Sequence, residues 1–156
     1  MAALAADLNI STYGPIIEVP IKAAAVTFFQ GAIVWSDLDG VGYATDAPAA
    51  GDRILGVSLT KQVNATAGDE VSVMVFGVVK FFAAVTDLAT TDAGAIVAFD
   101  ATTLTDNITD AQDATGLTFA DNFSILGKSL DTDASTYTTI LINPGGKFLA
   151  TQDTFI

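Results

Sequence analysis

The chain has 156 residues and a mass of 16.0 kDa, the size of one ordinary domain. Hydrophobic residues make up 51% of the sequence and charged residues 15%, which excludes disorder of the whole chain. The 18 acidic and 6 basic residues give a formal net charge of −12 and leave too few cations for a nucleic-acid-binding face. The absence of Cys and His excludes disulfides, thiol nucleophiles, Cys/His zinc sites and the most common general base.

No segment has the pattern of a membrane span or of a secretory signal. The longest unbroken apolar stretch, Val73–Val79, has seven residues, whereas a bilayer span needs roughly 18 to 20. The apolar start Met1–Ala6 lacks a cationic region, and Asp7 follows it. We therefore expect neither a membrane partner nor export by a cleaved signal.

Residues 1–22 differ from the rest of the chain and are predicted to form an extended N-terminal arm. Pro15 and Pro20 exclude a continuous helix through this segment. Its large apolar side chains are candidates for partner contact, because they are unfavourable in water; these are Ile10, Tyr13, Ile16 and Ile17. Two arrangements remain open, a first strand packed on its own domain and an arm laid on a neighbouring subunit.

From residue 23 onward, short segments with strand character alternate with turns. Sixteen of the 18 acidic residues are Asp, and the chain holds 20 Thr and 13 Gly, a composition that favours short strands and tight turns. The predicted strands are Val26–Phe29, Gly31–Trp35, Ile54–Leu59, Val71–Phe82, Ile96–Phe99, Phe123–Leu130 and Thr136–Ile142. One short helix or helical turn is predicted at Thr86–Ala93.

Three short sequence words occur twice in the same order, which indicates an internal duplication. They are Gly31-Ala32-Ile33-Val34 with Gly94-Ala95-Ile96-Val97, Thr45-Asp46-Ala47 with Thr109-Asp110-Ala111, and Ile54-Leu55-Gly56 with Ile125-Leu126-Gly127. The offset is 64 residues for the second pair (45 to 109) and 71 for the third (54 to 125), which places an insertion within residues 112–122.

We therefore predict an all-β fold, a small barrel or sandwich built from two related β-units at about residues 26–82 and 91–148. Each unit alone is too small to bury its apolar face and needs the other as a partner. Together they form a β-domain at 23–148, followed by a C-terminal tail at 149–156.

The sequence nominates no catalytic, cofactor-binding or metal-binding residue, and we expect a protein that is not an enzyme. Asp37-Leu38-Asp39-Gly40 begins like a calcium loop, but the glycine and the final glutamate of such a loop are not in register. We interpret Asp37–Gly40 as a solvated turn, and Asp131-Thr132-Asp133 in the same way. The many Asp residues place carboxylates in pairs without singling one pair out.

Two aromatic residues outside the arm are further candidates for contact with a partner. Trp35, the only tryptophan, stands where the second repeat has Ala98, so it is either a core ring or an interface anchor used once. Phe155 and Ile156 are the last two residues of the sequence. They either pack against another surface or form an apolar tail.

The sequence resembles the capsid cement, or head decoration, proteins of tailed bacteriophages over about residues 23–147. The resemblance rests on Gly-Ala-Ile-Val from Gly31, on Ile-Leu-Gly-Val-Ser-Leu from Ile54, and on Ala-Gly-Asp-Glu-Val-Ser-Val-Met-Val-Phe-Gly-Val-Val from Ala67. It implies a compact β-domain, commonly trimeric, that binds the major capsid protein and stabilises the shell against internal DNA pressure. It also implies that the N-terminal arm reaches the shell or a neighbouring copy.

On this resemblance the protein is made in the host cytoplasm and resides on the outer surface of the virion. The family has no active site to transfer, and no cofactor is implied. A net charge of −12 suits the outside of a shell, because the inside faces packaged DNA. Two other classes remain open: another virion component, such as a tail or fibre protein, and a carbohydrate-binding β-domain.

Overall fold

The structure is a computed structural model that describes residues 6–21, 26–36, 44–45, 52–82, 94, 96–98, 112–113, 125–133 and 137–144. Within these ranges the chain is all-β and contains no helix, so the predicted fold class is confirmed. None of the described residues belongs to a helix long and apolar enough to cross a bilayer. The predicted helix at Thr86–Ala93 lies outside the described residues.

The described strands are numbered here in chain order. They are β1 (Ile10–Tyr13), β2 (Ile16–Pro20), β3 (Val26–Phe28), β4 (Ile33–Ser36), β5 (Ala44–Thr45), β6 (Arg53–Ser58), β7 (Gln62–Ala65), β8 (Glu70–Met74), β9 (Gly77–Phe81), β10 (Ile96–Ala98), β11 (Gln112–Asp113), β12 (Ile125–Asp133) and β13 (Tyr137–Ile142). Each predicted strand corresponds to at least one of them; β1 and β2 lie in the predicted N-terminal arm, and β5, β7 and β11 are additional.

The strands form two sheets and a two-stranded ribbon, and the pairs are antiparallel. The six-stranded sheet has the order β1-β9-β13-β12-β10-β11, and the five-stranded sheet the order β2-β8-β6-β4-β5. Strands β3 and β7 form the ribbon. Because β1 and β2 are neighbours in sequence but belong to different sheets, as do β8 and β9, both connections cross from one sheet to the other.

The two sheets bury a first core between them. The five-stranded sheet contributes Ile33, Trp35, Ile54, Val57 and Met74, and the six-stranded sheet contributes Val79, Phe81, Val97, Leu126, Ile140 and Ile142. In β13 the burial alternates between half-buried and buried residues, as expected of a sheet with one face on a core.

A second core covers the opposite face of the five-stranded sheet. It joins Val19, Val34, Val71 and Val73 of that sheet to Ile21 and to Phe28 and Ala65 of the ribbon. All four residues of β4 are therefore buried, with Ile33 and Trp35 in the first core and Val34 in the second. The described strands therefore form three layers in the order ribbon, five-stranded sheet and six-stranded sheet.

The sequence repeat reappears in the strand pairing. The first unit (β4, β5, β6, β8) and the second unit (β10, β11, β12, β13) have the same strand order, β8-β6-β4-β5 and β13-β12-β10-β11. The cross-strand pairs of the first unit are Ile33 with Val57, Val34 with Gly56 and Trp35 with Ile54. The second unit pairs Ile96 with Lys128, Val97 with Gly127 and Ala98 with Ile125, and the register shifts at the equivalent step.

Two glycine contacts repeat as well. A Cβ on Gly56 would lie 2.1 Å from the carbonyl oxygen of Met74, and one on Gly127 would lie 2.0 Å from that of Leu141. The amides of Gly31 and Gly94, both with positive φ, donate to the carbonyls of Ser58 and Ser129 at 2.8 and 2.7 Å. Because glycine has no Cβ, these positions allow neighbouring backbone segments to lie this close together.

The two units are stacked in the same orientation. The face of the first unit that contacts the second unit is therefore not the equivalent of the face that it contacts. Val34 lies in the second core, whereas its equivalent Val97 lies in the first. Val57 is fully buried in the first core, whereas its equivalent Lys128 is only half-buried on the outer face of the six-stranded sheet. One face of the first unit therefore packs on the opposite face of the second, and the outer face of the second unit corresponds to an interior face of the first.

Candidate binding surface

The two crossing connections meet at one corner of the molecule. The sequence predicted a single strand at Val71–Phe82, but the structure divides it into β8 and β9 at Val75 and Phe76. Gly77 has a φ of 127°, a conformation that favours glycine and that bends the chain toward the second sheet. Gly14 makes the corresponding bend between β1 and β2.

Both glycines at this corner are required because the two connecting segments, β1–β2 and β8–β9, approach each other closely. A Cβ on Gly14 would lie 2.1 Å from the carbonyl oxygen of Phe76, and one on Gly77 would lie 2.3 Å from that of Tyr13. Such contacts are far inside van der Waals distance, so larger residues would separate the two backbones. The corner is thus a fixed junction between the sheets.

Four exposed apolar side chains lie on the segments that meet at the corner; Ile16 and Ile17 are consecutive strand residues, so their side chains point to opposite faces of the five-stranded sheet. We call Tyr13, Ile16, Ile17 and Phe76 the corner patch. They are four of the seven large hydrophobic residues that are exposed in the described part of the chain, and Tyr13, at 85%, is the most exposed. The segments 13–17 and 73–78 contain no charged residue, although the chain as a whole is strongly acidic. Exposed apolar side chains on both faces of a charge-free strand edge make this edge a candidate interaction site.

The segment that carries most of the patch forms the outer strand of both sheets. β1 pairs with β9 from Ile10 with Phe81 to Tyr13 with Val78, and β2 pairs with β8 from Ile16 with Met74 to Pro20 with Glu70. The opposite edges of β1 and β2 pair with no other described strand. An open edge next to exposed apolar side chains is a surface to which another chain can bind.

The start of this segment is fixed to the same chain. The amide of Gln30 donates to Asp7 Oδ1 at 3.0 Å, and Lys61 Nζ lies 3.8 Å from Asp7 Oδ2. The Leu8 amide donates to the Gln30 carbonyl at 2.9 Å. Residues 7–20 therefore present the open edge from a defined position.

The far end of β2 is acidic. Glu18, Asp69 and Glu70 are all exposed, and Glu18 Oε1 accepts a hydrogen bond from Ser72 Oγ at 2.7 Å. The Asp69 carboxylate accepts the Thr66 amide at 2.7 Å in the turn that precedes β8. The surface thus changes from apolar at the corner to negatively charged at Pro20.

The residues predicted to contact a partner fall into three groups. Tyr13, Ile16 and Ile17 are exposed members of the corner patch. Ile10 is half-buried and packs against the first core, while Trp35 is fully buried within that core and has no surface to offer a partner. Phe155 lies outside the described residues.

Phe76 is the patch residue that sequence reasoning missed. It was included in the long predicted strand at Val71–Phe82, where an aromatic residue suggests core packing. The adjacent Gly77 was the available signal, because a glycine within a strand often marks a bulge or a bend. A bend there exposes the preceding side chain.

Among the described residues, no group of three or more Asp, Glu, His or Cys side chains is arranged to hold a metal ion. The segment Asp37–Gly40 lies outside the described residues. Asp131–Asp133 belongs to strand β12 instead of the turn that the sequence suggested.

The chain matches no known protein-family model, and no curated protein sequence is significantly similar to it.

Proposed function

We propose that this protein binds the outer surface of a tailed-phage capsid through the corner patch and stabilises the shell. The observation that carries the proposal is the set of exposed apolar side chains on the segments that meet at the junction of the two sheets, along an edge that no other described strand pairs with. The resemblance of residues 23–147 to head decoration proteins supports the same function.

The architecture fits a mechanical role. The segment 10–20 and the segment 70–81 pair with each other in both sheets, so the two sheets are joined through one pair of bent strands. Strands β4 and β8 of the five-stranded sheet contribute residues to both cores, which limits the freedom of this sheet to deform. A decoration protein needs such a body and an adhesive surface, repeated over many copies.

The charge distribution fits the outside of a shell. A net charge of −12 keeps free subunits soluble before they dock and disfavours contact with packaged DNA. The corner patch, by contrast, contains no charge, so docking there requires no charged side chain to lose its water. The expected partner is the major capsid protein, and we propose that the protein assembles as a homotrimer.

The proposal is tested with heads of the phage that encodes the chain, prepared from a mutant that lacks it. Wild-type protein should co-sediment with these heads and appear by electron microscopy on their outer surface, and it should raise the temperature at which they release DNA. Absence from the heads together with presence in tails or fibres would overturn the proposal.

A patch variant identifies the surface that is used. Tyr13→Ser combined with Phe76→Ser should weaken binding to heads roughly tenfold or more, because a buried aromatic side chain is a common hot spot. Val63→Ser is the control, since Val63 is similarly exposed but lies on the ribbon strand β7. Equal binding by the two variants would show that the corner patch is not the docking surface.

A further inference from the structure

Segment 10–20 forms an outer edge with which no other strand in the described part of the chain pairs. It forms the outer strand of both sheets and passes from one to the other at Gly14 and Pro15. Its eleven residues correspond to a contour length of roughly 35 Å at about 3.3 Å per residue. A partner strand could therefore pair with both sheets through one continuous contact.

The backbone groups on the open side can be assigned from the hydrogen bonds at the two ends. The Phe82 amide donates to the Asn9 carbonyl, and the Ile21 amide donates to the Asp69 carbonyl. In an antiparallel pair, successive residues direct their N–H and C=O groups alternately toward the partner and away from it. Ser11 and Tyr13 in β1 and Ile17 and Val19 in β2 therefore face inward.

The same alternation directs the N–H and C=O groups of four residues outward. These residues are Ile10, Thr12, Ile16 and Glu18. The Leu8 amide, which precedes them in the same alternation, donates outward to Gln30. Pro20 also follows the pattern, because proline has no N–H and is tolerated where a strand faces solvent.

The features that usually prevent strand addition are few within the two strands of this edge, although Pro15 lies between them. Natural edge strands are often protected by lysine, by proline within the strand, or by a bulge. β1 contains neither lysine nor proline, and in β2 the proline stands at the last position. The pairings β1–β9 and β2–β8 run without a register shift. The edge is therefore open to pairing along both strands.

The side chains along the edge define the chemistry of the added strand. Tyr13, Ile16 and Ile17 require apolar neighbours, and the exposed carboxylates of Glu18 and Glu70 favour a basic residue beside them. A second copy of this chain paired in parallel would place like carboxylates opposite each other, which is unfavourable.

We propose that the edge formed by β1 and β2 accepts an extended segment of the shell protein as an additional strand, with apolar residues at the corner patch and Lys or Arg beside Glu18. The inference rests on the proposed function, since the shell is the partner. It adds the mode of binding, which is backbone pairing through Ile10, Thr12, Ile16 and Glu18.

Hydrogen exchange measured by mass spectrometry on head-bound and free protein tests the pairing. Peptides that cover residues 10–19 should exchange at least about tenfold more slowly on heads, because their outward amides gain hydrogen-bond partners. Peptides that cover β7, another edge strand, should be unchanged. Unchanged exchange in residues 10–19 on fully decorated heads would overturn the inference while leaving the proposed function in place.

Substitutions at Thr12 separate hydrogen bonding from simple burial. Thr12→Pro removes one outward amide and should weaken head binding roughly tenfold, whereas Thr12→Val keeps the amide and should bind within about twofold of wild type. Thermal melting verifies that each variant is folded; if Thr12→Pro is not, the exchange experiment on wild-type protein still decides. Equal binding by two folded variants contradicts strand addition.

The acidic end is tested separately by salt. Glu18→Gln should weaken binding by about twofold to fivefold at low ionic strength and reduce its dependence on salt, because one interfacial ion pair is lost. An unchanged salt dependence would contradict the basic residue in the partner segment. If wild-type protein does not bind heads at all, the proposed function fails, and this inference fails with it.

Discussion

The two β-units have the same strand order and nearly the same pairing, yet they occupy different environments. The first unit is covered on both faces, by the ribbon and by the six-stranded sheet. Among the described residues, the second unit has a core on one face only; on its other face Ile96, Lys128 and Leu141 are half-buried and Ala98 is buried. Equivalent positions in the two units have the same backbone pairing but differ in burial. Substitutions at these positions therefore measure how burial affects the free energy of unfolding.

The largest difference is expected from exchanging the residues at positions 57 and 128. Val57→Lys places a charge in the first core, where it has no partner, and should reduce the free energy of unfolding by about 3–5 kcal/mol. Lys128→Val, on the half-exposed outer face, should change it by less than about 0.5 kcal/mol. Urea unfolding followed by Trp35 fluorescence measures both, and similar losses would contradict the stacking described above.

An intermediate effect, equal in both units, is expected at the repeated glycines. Gly56→Ala and Gly127→Ala each direct a Cβ against a backbone carbonyl at about 2 Å, and each should cost roughly 3 kcal/mol because the strands must separate. Gly68→Ala is the comparison for a glycine replaced without a clash, since a Cβ there meets nothing within 4 Å and its cost comes from the positive φ of Gly68, which Gly56 and Gly127 do not share. Unequal losses at Gly56 and Gly127 would show that the two pairings differ in stability.

The smallest effect is expected at a pair of equivalent serines. Ser58 Oγ donates to the Thr60 carbonyl at 2.8 Å, whereas Ser129 Oγ is buried without a hydrogen-bond partner among the described residues. Ser58→Ala should therefore lower the free energy of unfolding by about 1 kcal/mol, and Ser129→Ala should raise it by about 0.5–1 kcal/mol. Denaturant midpoints of the two variants provide the measurement, and a loss at both positions would count against this assignment.

Much of the fold could be predicted from the sequence, because strands and turns have local signals. The segments Ile54–Leu59 and Thr136–Ile142 coincide with β6 and β13 to within a residue at each end. The repeated glycine-containing sequence segments also indicated which strands of the two units would have the same pairing. The short strands β5 and β11 were missed, since two-residue pairings depend on their neighbours more than on their own composition.

The stacking sense could not be predicted, because it depends on which face of each unit meets the other. Ile33 and Ile96 are identical in type, yet the first lies in the core and the second on the outer face. The only local sign was Lys128 at the position equivalent to Val57. For the candidate site, Tyr13, Ile16 and Ile17 were nominated by their composition alone, whereas Phe76 required knowledge of the bend at Gly77.

The shared bent strands at the corner have a consequence for how the protein transmits force. A load applied along the segment 10–20 runs parallel to its strands and perpendicular to the hydrogen bonds that hold them, so many bonds carry the tension together. Because those bonds belong to both sheets, stretching at this edge pulls the sheets as one piece instead of peeling one from the other. Tension applied along this edge would therefore be resisted by both sheets at once.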